Sequence, residues 1–301
     1  FASPNDTLGL RAVRAHLDPN PDGFAFIAEG GSRLGPFTAA GSILLPPGQD
    51  ATVAIDRIDV AGTRATGTLA VVDGGFDGRL AVAGGGISGE LLFRPVGAIQ
   101  RIEAHLDARN AGYAGTTLRQ GHLDLVTLLD PAGTSVEAAA TGAGLRQGRL
   151  SVSRFTGSAS LRGGVGDIRA SISGSRGRAF DIQTVTHVTP HRYVIEAQGT
   201  LDKRALKLLS PAVVTREGEG WRLAPTRLDF AGGEAEVGGL FASGATDVTA
   251  SLTRMPLAIL DIGYPGLGLS GSASGTLSYR THRGEAPTGR IDMTVRGLSR
   301  A

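Results

Sequence analysis

The sequence has no cysteine, two methionines and one tryptophan, and aromatic residues fill only 5% of its 301 positions. Without cysteine there can be no disulfide, no thiolate zinc site and no cysteine nucleophile. The shortage of aromatic side chains removes the usual filling of a thick core. Charge is also sparse, at 19%. A disordered chain would be polar and charge-rich, so disorder is excluded. Lysine occurs only at Lys203 and Lys207. The arginines are scattered singly along the chain, without the clustered stripe that nucleic-acid phosphates require. Nucleic acid is therefore not an expected partner. No run of 18 or more apolar residues is present to cross a membrane as a helix, and no signal peptide opens the chain. The sequence begins at Phe1 and ends at Ala301 just after a strand-like run, which fits an internal piece of a longer protein.

The chain is rich instead in glycine, 46 of 301 residues, and in apolar residues at alternate positions. Val53 and Ile55 share a face, as do Leu69 and Val71, Leu80 and Val82, Leu91 and Phe93, and Leu123 and Leu125. The pattern continues through Ile168, Ile172, Ile182, Ile195 and Val237. A period of two marks strands with one buried face and one wet face. Turn signals such as 73–75, 130–133 and 217–220 separate them, and template matching predicts roughly 18 to 20 strands. Helical periodicity is limited to two places. Residues 202–211 could form a short helical insertion stopped by Pro211, and 256–262 could form a helical turn opened by Pro256.

A weak repeat places glycine on the same parity as apolar residues, centred on Gly41, Gly67, Gly89, Gly157, Gly199, Gly271 and Gly275. Interior glycine weakens a strand and marks a bend or a close approach. A row of such residues would let a sheet fold along one line; ordinary barrel or sandwich corners are the other reading. A sandwich must fill a layer about 10 Å thick, which glycine and alanine do poorly. The expected fold is therefore all-β: an elongated, curled sheet forming an open apolar groove, on the order of 90 Å long at about 4.8 Å per strand, with one or two short helices. Its expected organisation is a groove segment over 1–201, the insertion at 202–211, and a continuing groove segment over 212–301.

The order of several passages resembles the TamB family of periplasmic groove proteins, within the AsmA-like superfamily. These passages are Trp221-Arg222-Leu223, the run Arg227 to Gly233, Glu236-Val237-Gly238-Gly239, Met255 to Leu260, and Tyr264 to Gly275. The segment Leu34 to Phe37, with Gly41 downstream, is also similar. The resemblance implies a β-groove protein of the bacterial periplasm, anchored in the inner membrane by a segment not present here. It implies a part in phospholipid movement and outer-membrane biogenesis, with a TamA-type barrel as partner through regions outside these residues. A continuous aliphatic floor suits such a conduit, because each methylene of an acyl chain in water costs about 0.8 kcal/mol. The candidate lining for phospholipid acyl chains is Val53, Ile55, Leu69, Val71, Leu80, Val82, Leu91, Phe93, Leu123, Leu125, Ile168, Ile172, Ile182, Ile195 and Val237. Packing into a dry core is the competing reading of the same residues.

No enzyme is expected, and neither a cofactor nor a metal. Residues 84–89 and 266–271 match G-x-G-x-x-G, but dinucleotide binding needs a helix after the glycines, and alternating strand follows both. His187 and His191 are four apart with Pro190 between them, which defeats the helical zinc arrangement. No G-x-S-x-G elbow is present. Two other functions compete with lipid transport. One is a scaffold or chaperone that pairs an open sheet edge with unfolded outer-membrane strands. The other is a secreted β-helix, disfavoured by irregular repeat spacing and by only three asparagines, Asn5, Asn20 and Asn110.

Overall fold

The computed structural model describes residues 10–300 except 33, 74, 131, 263 and 265. Residues 1–9 of the first expected segment and Pro265 of the family-like run lie outside the described residues. Within them the chain is all-β, with one short 3₁₀ helix. Two compact units divide at Leu145/Arg146.

The first unit is a meander of β1 (Arg11–Asn20), β2 (Gly23–Ser32), β3 (Gly35–Leu44), β4 (Thr52–Val60) and β5 (Thr63–Val72), followed by β6 (Gly75–Gly84), β7 (Ile87–Val96), β8 (Ile99–Tyr113) and β9 (Thr116–Leu129). Each strand pairs antiparallel with the next, and β10 (Ser135–Gln147) pairs with β9. Two-residue reversals such as Ala61–Gly62 (φ 51 and 81) and Ala114–Gly115 (φ 47 and 77) have left-handed φ at both positions. That geometry matches the twist of the flanking strands.

The second unit continues with β11 (Leu150–Arg162), β12 (Val165–Arg176), β13 (Arg178–Thr189), β14 (Arg192–Leu201), β15 (Arg204–Leu208) and β16 (Ala212–Glu217). After these come β17 (Gly220–Phe230), β18 (Gly233–Ala242), β19 (Ala245–Pro256), the 3₁₀ helix Leu257–Ile262, β20 (Leu269–His282) and β21 (Thr288–Arg300). The helical turn expected at 256–262 is this 3₁₀ helix.

The helical insertion expected at 202–211 is not formed. Asp202 and Lys203 carry left-handed φ of 51 and 64 and make a hairpin turn. Residues 204–208 are strand β15, which pairs Leu206 with Gly199 on one side and with Phe230 on the other. Two turns of isolated helix are marginal in water, whereas period-two burial gives Leu206 and Leu208 partners in Phe230 and Leu228. Strands β15 and β16 both lie between β14 and β17. They are separated at Leu209–Pro211, where proline has no N–H to donate to a ladder.

Candidate functional site: an apolar face in register

Paired residues of an antiparallel ladder lie on the same face, so the registers show which side chains meet. In the first unit Val53 pairs with Leu69, Leu69 with Gly78, and Gly78 with Phe93. In the next row Ile55 pairs with Gly67, Gly67 with Leu80, Leu80 with Leu91, Leu91 with Ala104, and Ala104 with Leu125. A third row runs Val82, Gly89, Leu106, Leu123. Val71 pairs with Phe76 on the same parity. All ten candidate lining residues of this unit therefore share one face. In the second unit Ile172 pairs with Ile182, Ile168 with Thr186, Thr186 with Ile195, and Val237 with Thr226, which places its five candidates on one face as well.

The opposite face carries the charge. Asp59 and Arg64 are register partners with a 3.0 Å contact, and Arg79 bridges to Glu90 at 3.4 Å. His105 and His122 lie opposite Asp124 and Asp107. His105 contacts Asp124 at 2.7 Å, and His122 contacts Asp107 at 2.9 Å and Asp124 at 3.0 Å. Hydrogen bonding to these carboxylates raises the pKa of both histidines and lowers that of Asp124. In the second unit His187 pairs with Asp167 at 3.0 Å, while His191 sits in the β13–β14 turn. No His, Asp or Glu grouping suited to a metal exists among the described residues. The glycine runs at 84–89 and 266–271 lead into strands β7 and β20, not into helices.

Most candidate residues of the apolar face are only partly covered. Leu69, Leu80 and Val82 are buried by neighbours on their own sheet, while Val53, Ile55, Leu91 and Phe93 remain half-buried and Val71 and Ile172 are exposed. The repeat glycines sit among these side chains, spread over several rows and not along one line. At Gly67 (φ +152) a Cβ would lie 2.2 Å from the Arg79 carbonyl oxygen, and at Gly199 a Cβ would lie 1.9 Å from that of Asp181. Neighbouring backbones approach too closely there for any side chain. Gly157 is the exception, with its nearest atom 3.7 Å away.

One stretch of the second unit is closed. Leu201, Phe230, Ala235 and Met255 form a buried cluster, with Ala258 and Ile259 of the 3₁₀ helix packed against it. Phe230 is 0% and Met255 2% exposed. The helix is tied down by Asp261, itself 1% exposed. Asp261 accepts hydrogen bonds from Arg178 Nε at 2.8 Å and from the Gly268 amide at 3.1 Å. The Arg178 guanidinium holds the Asp261 carboxyl below the usual carboxylate range.

No family model, curated protein or solved structure matches the chain.

In the first unit the geometry sets aliphatic rows on one face and ion pairs on the other. The sequence reading missed Arg178 and Asp261, which are 83 residues apart and carry no local signal. The candidate lining also omits Phe180 and Leu252, whose alternation with Ile182 and Val248 is readable in the sequence, and Leu206, which falls in the expected helical insertion; all three complete the closed stretch.

Proposed function

We propose that the apolar faces carry phospholipid acyl chains between the inner and outer membranes of a bacterial envelope, in a periplasmic, non-enzymatic protein. The observation that carries this reading is the apolar face kept in register from β4 to β9, on which Val53, Ile55, Leu91, Phe93, Leu123 and Leu125 stay only half-buried and Val71 is exposed. A soluble protein hides a contiguous face of this size unless a partner covers it. At about 0.8 kcal/mol per methylene, an acyl chain is such a partner, and uniform aliphatic rows hold it without a deep well that would stop its movement. The likeness of its passages to the TamB family supports a periplasmic compartment, an inner-membrane anchor and a TamA-type barrel as partner. In-cell photocrosslinking tests the reading. Probes at Leu91 and Ile182 should give lipid adducts, while probes at the outward Arg79 and Gln183 should give none; the reverse pattern overturns it.

A second reading, scaffolding of outer-membrane strands, draws support from the free edge of β21. Among the described residues that strand pairs only with β20, and Ile291 is 74% exposed. Such an edge can add a guest strand by backbone pairing. Purified protein that binds unfolded barrel peptides but carries no lipid in mass spectrometry would favour it.

A further inference from the structure

The margin of the apolar face in the second unit holds a charge imbalance. The tight reversal at Gly177 (φ +76) sets Arg176 directly opposite Arg178. The unbroken register that turns Ile172 and Ile182 toward the apolar face turns these two arginines the same way. Arg204, opposite Leu201, lies on that face two residues before Leu206. Like charges placed opposite one another destabilise a sheet, and the neighbouring acids relieve only one of them. Asp202 and Asp261 both bind Arg178, at 3.0 and 2.8 Å. Asp181 has the opposite parity and faces away. Arg176 and Arg204 are exposed, and neither forms an ion pair among the described residues. A local conflict kept without compensation marks a functional position.

We propose that this margin binds the phosphate of an anionic phospholipid, with Arg176 and Arg204 as its contacts and the acyl chains lying on Ile172 and Ile182; this rests on the lipid-carrying reading above. Guanidinium forks suit phosphate oxygens. The two arginines stand three strand spacings apart, about 14 Å along the sheet, with Arg178 between them keeping donors beyond those used by Asp202 and Asp261. The ligand class is set by the juxtaposition of uncompensated cations and aliphatic surface on one face. Free phosphate would use the first alone, and a neutral lipid the second alone.

The test titrates the full chain with short-chain phosphatidylglycerol, dioctanoylglycerol and inorganic phosphate, for wild type and for the double variant Arg176→Gln/Arg204→Gln. Arg178 is left untouched because it holds Asp261. The double variant should bind phosphatidylglycerol at least about tenfold more weakly, the loss expected from charge-assisted contacts, and should bind dioctanoylglycerol as wild type does. Arg176→Lys/Arg204→Lys should recover part of the loss, and thermal unfolding should confirm that both variants fold. Unchanged phosphatidylglycerol affinity in the glutamine variant overturns the inference while leaving the lipid-carrying reading intact. If dioctanoylglycerol fails to bind wild type, the lipid-carrying reading falls. If inorganic phosphate binds as tightly as phosphatidylglycerol, the site belongs to a free anion and the lipid assignment is wrong.

Discussion

The two units treat the same kind of apolar face in opposite ways. In the first, Leu69 and Leu80 are buried and Leu91 is half-buried on one face of the sheet, and among the described residues no helix packs onto them. In the second, the 3₁₀ helix Leu257–Ile262 presses Ala258 and Ile259 onto Leu201, Phe230 and Met255. The contrast shows what holds such a face closed here: a covering segment, a large side chain beneath it, and a buried carboxylate tied to a partly exposed arginine. The first unit has the sheet without a covering helix among its described residues. Its stability must come from pairing and partial burial spread over many residues, and the stability of the second is concentrated at one place.

The largest test removes the side chain under the cover. Phe230→Ala should cost about 3–5 kcal/mol, seen as a lower urea midpoint and faster amide exchange in the second unit. Leu91→Ala, at a half-buried position, should cost less, about 2 kcal/mol. Equal losses would erase the distinction between the units.

The next test cuts the tie. Asp261→Asn weakens the tie to Arg178, which keeps Asp202, and should cost about 2 kcal/mol, with exchange rising first over 257–261. The sign of the pH effect follows from the lowered carboxyl pKa. The stabilisation is present above the unfolded carboxylate value of about 3.9 and is lost as pH falls through the folded value. Wild type should therefore lose stability between about pH 4 and more acid conditions more steeply than Asp261→Asn. Parallel curves would show that the pair does not hold the cover.

A smaller effect separates the repeat glycines. Gly67→Ala must displace the Arg79 carbonyl and should cost about 1–3 kcal/mol. Gly157→Ala meets no atom closer than 3.7 Å and should be neutral or stabilising by up to about 1 kcal/mol through the unfolded chain. Thermal melts of the two variants decide it.

Which parts were legible in the sequence follows from the range of each signal. Alternation is local, so the strands and the shared face of Val53, Ile55, Leu69 and Leu80 could be read directly. The turn after Pro256 was legible because proline opens helical turns. Residues 202–211 are ambiguous by local pattern, because Leu206, Leu208 and Leu209 fit a short helix as well as a strand. Only the distant Phe230 and Leu228 decide between them. The Arg178–Asp261 tie and the arginine margin need strands to be brought side by side. Arg176 and Arg178 flank Gly177 in the sequence, but Arg204 joins their face only once β14 and β15 are laid beside β13.

The smallest expected effect gives the comparison a sign. On the polar side of the first unit His105 faces Asp124 and Glu103, and His122 faces Asp107 and Asp124. Both histidines have raised pKa values from these hydrogen bonds. Their contribution is complete below the unfolded histidine value of about 6.5 and fades as pH rises through the folded values. The first unit should thus weaken slightly from about pH 6.5 upward. Both histidines are well exposed, so solvent screening keeps the effect small. Amide exchange resolved by unit at pH 6 and pH 8, corrected for the intrinsic rate, should show opening of β8 and β9 favoured at the higher pH, and His105→Gln/His122→Gln should abolish the difference. A drift of the same size in β17 and β18 would mean that the histidine ladder is not its source.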